Sequence, residues 1–287
     1  MSKPLISIAM PVRNCEQTVA AAVRSILNQT FTDWELLVID DGSTDGTLAE
    51  VGRFQDGRIK VLHDNHSKGL PARLNESIGL ADGEFYARMD GDDVCYPRRL
   101  ELQVGHMQSH PDIHLLGGGL FVFGSGGRVL GKRIPPADHN AICRRPYSGF
   151  PVSHPAFFGR KKWFQAWLFS LVAGGAADQD ILLRSYTQSR FANIPDIIIG
   201  YREEKVVFRK CFSYRVAFCR SLAANCRGGT ICMTTLGFAL AAAKLSVDAV
   251  AVSTGLQHRL LRHRAKPVTD EDVVQWNRVW RSVNEHL

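Results

Sequence analysis

Apolar residues in this chain recur with two alternating periods. Leu5-Ile6-Ser7-Ile8-Ala9-Met10 reads as a first strand that Pro11, lacking an N–H, should halt. A helix should follow from about Glu16 to Asn28, because Val19, Ala22, Val23, Ile26 and Leu27 recur at spacings of three and four. The run Trp34-Glu35-Leu36-Leu37-Val38-Ile39 has the unbroken apolar end of a strand covered on both faces. A second helix, a strand Ile59–Leu62, a helix from Leu70 to Gly79 and a strand from Phe85 to Met89 continue the alternation. Strand and helix in turn, with short connections, predict an α/β class: a mainly parallel, twisted, Rossmann-like sheet with flanking helices.

In such a sheet ligands bind beyond the carboxyl ends of the strands. Four polar clusters follow successive strands and should therefore share one rim: Pro11-Val12-Arg13-Asn14, Asp40-Asp41-Gly42-Ser43, His63-Asp64-Asn65 and Asp90-Gly91-Asp92-Asp93. The last cluster crowds carboxylates onto one tight turn, which costs free energy unless a cation lies among them. Oxygen ligands of this kind suit Mg²⁺ or Mn²⁺, and the bland alternative is a solvated acidic turn. No G-x-G-x-x-G follows the first strand and no G-x-x-x-x-G-K-[ST] occurs. The loop from Asp41 to Gly46 is not a calcium loop, since its twelfth position is Gly52 in place of Glu.

Beyond Pro111 the pattern changes. Gly117-Gly118-Gly119 and Gly124-Ser125-Gly126-Gly127 flank Phe121-Val122-Phe123, which suggests a hairpin or meander with both glycine runs in turns. Ser153-His154-Pro155-Ala156-Phe157-Phe158 reads as a strand. Ala177-Asp178-Gln179-Asp180 opens a helix in which Asp180 and Arg184 are four apart and able to pair. The apolar run Ile231–Ala243 ends after 13 residues at Lys244, too short for a membrane span. Thr269 and Asp272 form a capping box for a final helix whose Val273, Trp276, Val279, Trp280 and Val283 make one stripe, for burial on the body or on a second subunit.

Composition adds a division. The 287 residues are 45% hydrophobic and 22% charged, as in an ordinary globular protein. Seven cysteines without a C-x-x-C pair indicate neither a zinc site nor a disulfide framework, and point to a reducing compartment. The N-terminus lacks the apolar stretch of a signal peptide, so the expected location is cytoplasmic, including the inner face of the cell membrane. Residues 1–199 hold 21 basic and 21 acidic residues, so the whole excess of +7 lies beyond them. That basic tail is either a solvated face or a surface for anionic lipid or nucleic acid.

The order I-S-I-A-M-P-V-R-N, L-L-V-I-D-D-G-S-T-D-G-T and F-Y-A-R-M-D-G-D-D, with P-R-R-L-E-L-Q shortly after, resembles the family 2 glycosyltransferases of GT-A fold over residues 4–202. The resemblance implies an inverting, metal-dependent enzyme that moves a sugar from a nucleotide-diphosphate donor to a hydroxyl of a glycan or lipid-linked glycan. It implies that Pro11 and Arg13 border the nucleotide, that Asp40 or Asp41 accepts from base or ribose, and that Asp90 and Asp92 hold the metal on the diphosphate, with Asp93 in support. It also implies that Asp178, in the place of the family's catalytic Asp, takes the acceptor proton. Arg73 reads as a surface charge within reach of phosphate or donor sugar, and His154 as a donor or metal contact or a structural histidine. Ala177 departs from the family's usual Glu, which bears on the acceptor. The division implied is a catalytic domain at 1–202, with a nucleotide-sugar half at 1–110 and an acceptor half at 111–202, then a basic helical extension at 203–287 suited to peripheral membrane contact or homodimer formation. The rivals are a nucleotidyltransferase, which would want a basic Gly-rich loop after the first strand, and a nucleic-acid-binding protein using the tail, which lacks interleaved exposed aromatics.

Overall fold

The structure is a computed structural model and describes residues 3–225 and 231–284. In chain order the first half runs β1 (Ile6–Val12), α1 (Val19–Leu27), β2 (Trp34–Asp40), α2 (Thr47–Gly52), β3 (Ile59–Leu62), α3 (Leu70–Leu80), β4 (Phe85–Arg88), β5 (Val94–Cys95) and α4 (Arg99–Ser109). The second half adds β6 (Leu115–Phe123), β7 (Val129–Arg133), α5 (His139–Ile142), β8 (Phe158–Arg160), α6 (Lys161–Ala166), α7 (Ala177–Ser185) and β9 (Phe191–Arg202). Four helices close the described chain: α8 (Phe208–Asn225), α9 (Ile231–Ser253), α10 (Gln257–Arg264) and α11 (Asp270–Asn284).

Among the described residues the strands form one sheet in the order β3-β2-β1-β4-β8-β6-β9-β5, with β7 paired to β6. The β3-β2-β1-β4 half is parallel, as the alternation of strand and helix predicts. The other half is mixed: β8 runs antiparallel to β4 and β6, while β6 and β9 are parallel. Period-two alternation divides the core between two faces. Ile6, Ile8 and Met10 of β1 pack with α1 and α4, while Ala9, Leu37 and Ile39 pack beneath α3, α6 and α7.

Three local readings are corrected. Pro11 does not halt β1, which continues to Val12 with Pro11 opposite Ile39. The Ala9 carbonyl accepts from Met89 N, so Pro11 faces the same edge two residues further on, where β4 pairing has ended and no N–H is missed. Gly117-Gly118-Gly119 lies inside β6 and makes no turn; a Cβ at Gly117 would stand 2.3 Å from Asn193 Oδ1, and one at Gly119 2.8 Å from the Asp196 carbonyl. Bare backbone there lets β6 press against the bulged stretch of β9 around Pro195. His154–Ala156 forms a 3₁₀ turn, with β8 starting only at Phe158, because Phe157 N closes back on the His154 carbonyl.

The C-terminal helices pack on the body. Trp276 of α11 is fully buried, stacks on Phe121 (4.9 Å between centroids) and donates its indole N–H to the Gly127 carbonyl. Val279 and Val283 are buried beside it, and the Thr269–Asp272 capping box forms in both directions. The stripe of α11 is thus spent within the chain, and the large exposed apolar side chains of this region lie mainly on α8 and α9. The length expectation for the apolar run is also corrected. One helix continues through Lys244 and Asp248, and Met233–Ser253, with mean hydropathy 1.6, is long and apolar enough by length and composition to cross a membrane. The helix tolerates Asp248 because that fully buried carboxylate takes both Arg215 of α8 and Arg264 of α10.

Replacing Trp276 by Ala should cost about 3–5 kcal/mol of unfolding free energy in urea, from lost burial and the cavity left behind. Val274→Ala, on the exposed side of the same helix, should stay within about 0.5 kcal/mol. Equal losses for both would refute the docking of α11 on the sheet.

Candidate active site

The carboxyl ends of β1, β2 and β4 are adjacent, so the turns after them meet at one rim. At the β4 turn one carboxylate oxygen from each of Asp90, Asp92 and Asp93 lies within 4.8 Å of the other two. Thr18 fixes the turn by donating its hydroxyl to the Gly91 carbonyl at 2.9 Å. Such crowding needs compensation, and Arg88 at the end of β4 supplies it with a bidentate contact to both oxygens of Asp90. Burial works against the guanidinium charge, yet Asp90, then Asp93 and Asp178, outweigh it and hold Arg88 above its ordinary pKa.

The three carboxylates are not equivalent. Asp93 is buried; one of its oxygens accepts the Arg202 amide at 2.8 Å and the other has no partner. Burial, then the charges of Asp90 and Asp92, push Asp93 well above the ordinary carboxylate range. Asp92 projects into the cleft, and its enclosure there, followed by Asp90, raises its pKa as well. An orphaned Asp93 oxygen beside Asp92, both short of positive charge, with Asp90 next to them, is a donor set that a hard divalent cation fits.

Asp92 and Asp178 line one cleft of about 1270 Å³, together with His154, Tyr201, Arg202 and Tyr214. Asp178 lies in the first turn of α7, where the helix dipole favours its anion. Burial outweighs this and raises its pKa, against a weaker contribution from Gln179, whose amide donates to it at 3.3 Å. His154 is enclosed by Phe157 and Phe169 with Nε2 unpartnered, and burial, then Arg88, lowers its pKa well below the usual value. Asp180 is a structural residue: it pairs with Arg184 at 2.7 Å and accepts the Ser221 hydroxyl of α8.

The rim after β2 is organised by a different carboxylate. Asp41 accepts from the Lys68 and Gly69 amides, the Ser67 hydroxyl and Arg73 Nε, which drapes the 64–69 loop over the β2 turn. Burial opposes its charge, but the Gly69 and Lys68 amides, with Arg73 and Ser67, hold its pKa below the usual range. Asp40 closes its own turn by accepting from the Gly42 and Ser43 amides. Gly42, at φ 72°, lets that turn meet the His66–Ser67 backbone. Pro11 is buried in β1, and exposed Arg13 donates to Ser67 Oγ at 2.8 Å.

Arg73 corrects the expectation of a surface charge. Its side chain is 2% exposed, and its N–H groups go to Asp41, Asp64, Glu76 and the His66 carbonyl, which uses all five donors and leaves none for a phosphate. Arg88 and Tyr214 were missed. An Arg two positions before an acidic turn was a signal for the first; nothing local marks the second, which α8 carries in from beyond the sheet. Enclosure, then the charge of Asp178, raises the Tyr214 pKa well above that of an ordinary phenol.

A mixed sheet with an acidic turn and a second carboxylate in one cleft defines a transferase of the GT-A type. Residues 7–168 match the family described as glycosyl transferase family 2. The chain belongs to that family, and is a glycosyltransferase with a nucleotide-sugar donor. EpsE of Bacillus subtilis is 34% identical over 224 residues, 75% of this chain and 79% of EpsE. WfgD of Escherichia coli, named UDP-Glc:alpha-D-GlcNAc-diphosphoundecaprenol beta-1,3-glucosyltransferase, is 37% identical over 136 residues, 47% of this chain and 53% of WfgD, so the chain spans about half of that relative. Among solved structures, the mannosyltransferase PcManGT of Pyrobaculum calidifontis, in complex with GDP-Man and Mn²⁺, superimposes with a TM-score of 0.62 at 15% identity, covering 100% of this chain and 89% of PcManGT. S. aureus TarS with UDP-GlcNAc gives 0.59 at 19% identity, covering 98% and 82%. These likenesses carry the fold, and family membership decides against the nucleotidyltransferase and nucleic-acid readings.

Arg73→Ala would leave Asp41 buried without its cation and should cost about 3–5 kcal/mol in urea unfolding. The 63–69 loop should also become sensitive to limited proteolysis. An unchanged midpoint and cleavage pattern would mean that the loop does not depend on this guanidinium.

Proposed function

We propose that the chain is an inverting, metal-dependent glycosyltransferase acting on a hydroxyl of a growing glycan, with Asp178 as base. The observation that carries this reading is the shared cleft: Asp92 and Asp178 both face it, and Arg88 lies behind them. Asp92 leads the metal set with Asp90 beside it, because Arg88 already engages both oxygens of Asp90 while Asp92 is free in the cleft. Mg²⁺ or Mn²⁺ bound there would act as a Lewis acid toward the departing diphosphate. The complex of PcManGT with GDP-Man and Mn²⁺ supports this choice of ion and donor.

Asp178 supplies the proton acceptor. Its raised pKa gives it more basicity than a solvated carboxylate. Tyr214 beside it fixes the approach to the acceptor hydroxyl. The turns carrying Pro11, Arg13, Asp40 and Asp41 border the nucleoside. Because Asp41 is saturated by loop 64–69, its part is to shape the nucleoside rim through that loop. The acceptor in WfgD's name, a sugar on diphosphoundecaprenol, supports a lipid-linked glycan as the acceptor here, met by a chain that sits at the inner membrane face. Residues 1–110 would serve the donor and 111–202 the acceptor, and any self-association would use the apolar residues left exposed on α8 and α9.

Asp178→Asn should lower transfer by about 10²–10⁴-fold with donor binding retained. In the wild type the acid limb of kcat/KM should lie above the ordinary Asp value of about 3.9, since a raised pKa costs base at higher pH, and the variant should lose that limb. Retained turnover in the variant would remove Asp178 as base. Asp92→Ala should abolish the Mn²⁺-dependent part of nucleoside-diphosphate binding in a thermal-shift panel; unchanged binding would undo the metal assignment.

A further inference from the structure

The two walls of the catalytic cleft differ in charge. On one side stand Asp92 and Asp178, with Glu203 and Glu204 at the end of β9, where Arg133 is spent on Glu203 and Arg202 on the Asp92 carbonyl. On the other, every charged residue lining the cleft beyond Glu204 is cationic: Lys205, Lys210, Arg215, Lys244 and Arg264, with His263 among them. Loop 203–207 and helices α8, α9 and α10 bring them together, so the chain has converged from separate elements on one positive surface.

That surface is built into the fold. Asp248 lies behind it, fully buried, and its carboxylate holds Arg215 and Arg264 together. The one carboxylate shared between two guanidinium groups leaves a net positive charge. Arg215 Nε is buried with no hydrogen-bond partner. Lys210 and Lys244 form no ion pair among the described residues, and Lys244 reaches only the Ser148 carbonyl at 3.4 Å. Partial burial, then Arg215 and Arg264, lowers the Lys244 pKa, and the one buried carboxylate of Asp248 opposes them only in part. Apolar Ala243, Val247 and Leu260 line the same wall.

The wall belongs to the acceptor side. Tyr214, next to Arg215 on α8, stands beside Asp178, whereas the acidic turn that would take the donor's diphosphate comes from β4. Resting on the reading of Asp178 as base, we infer that the acceptor carries a phosphate or diphosphate ester next to the sugar that is glycosylated, and that Lys210, Arg215, Lys244 and Arg264 bind it. Guanidinium and ammonium groups pair with phosphate oxygens through charge-assisted hydrogen bonds. The apolar residues beside them suit the chain of a lipid diphosphate.

The test measures binding of farnesyl diphosphate, farnesol and inorganic pyrophosphate to the full chain in EDTA, which keeps any metal-held diphosphate out of the donor side. Wild type is compared with Lys210→Ala/Lys244→Ala, both exposed positions whose loss spares the Asp248 triad. Farnesyl diphosphate should bind at least about tenfold tighter than farnesol, and the double variant should lose at least about tenfold of that affinity. Mn²⁺-dependent nucleoside-diphosphate binding should stay within about twofold. Equal affinity for pyrophosphate and farnesyl diphosphate supports recognition of the anionic group alone; tighter farnesyl diphosphate binding supports a lipid diphosphate. Diphosphate binding that is absent in EDTA, or unaffected by the double substitution, overturns the inference. So does parallel loss of nucleoside-diphosphate binding, which would assign the wall to the donor. Failure of the Asp92 test would instead strike the metal reading, since the binding here is measured without metal.

Discussion

A single buried guanidinium holds the acidic turn and its cleft together. Arg88 ends β4 inside the protein, where an unpaired charge would be prohibitive, and three carboxylates within reach make it tenable. The dependence is mutual. Without Arg88, Asp90 and Asp93 would repel each other across a turn that the sheet presses against Val12 and Thr18. Asp90 is the carboxylate that gives up most of its freedom to this arrangement. Asp92 and Asp93 are left as the under-compensated partners, which is why the cleft still asks for a cation after the fold has satisfied itself.

Around that centre two further ion clusters do comparable structural work. Arg73 gathers Asp41, Asp64 and Glu76 and so fixes the 64–69 loop. Asp248 gathers Arg215 and Arg264 and so fixes the helices beyond the sheet. In each case one buried charge is surrounded by several of the opposite sign on separate elements. Removing the central group leaves its partners without compensation in a low-dielectric site, so each cluster specifies geometry more than it adds stability.

The first half of the chain was legible in the sequence because its elements are local. Strands and helices of β1 to β4 follow from apolar spacing, and the turns between them carry their polar residues at fixed offsets. The Asp92–Asp178 pairing was legible only through a resemblance in motif order, since residues 86 positions apart meet through sheet topology. Where local reading failed, tertiary contact had overridden it. Gly117–Gly119 looks like a turn until β9 is seen to need its bare backbone, and Pro11 looks like a strand end until the neighbouring strand is seen to stop first. Arg73 looked like a surface charge because nothing in its own helix reveals the loop folded over it. Tyr214 had no signal, because its position beside Asp178 is set by the packing of α8.

The knot at Asp248 has a consequence for how such an enzyme can diversify. It ties the helices after the sheet to one another through their own charges, independently of Asp92 and Asp178 across the cleft. The far side of the pocket is therefore an internally tied unit, seated on α7 where Ser221 meets Asp180 and where Phe218 and Leu222 enter the core. Evolution, or an engineer, that keeps this seat could vary the cationic face that looks across the pocket without disturbing the acidic turn opposite.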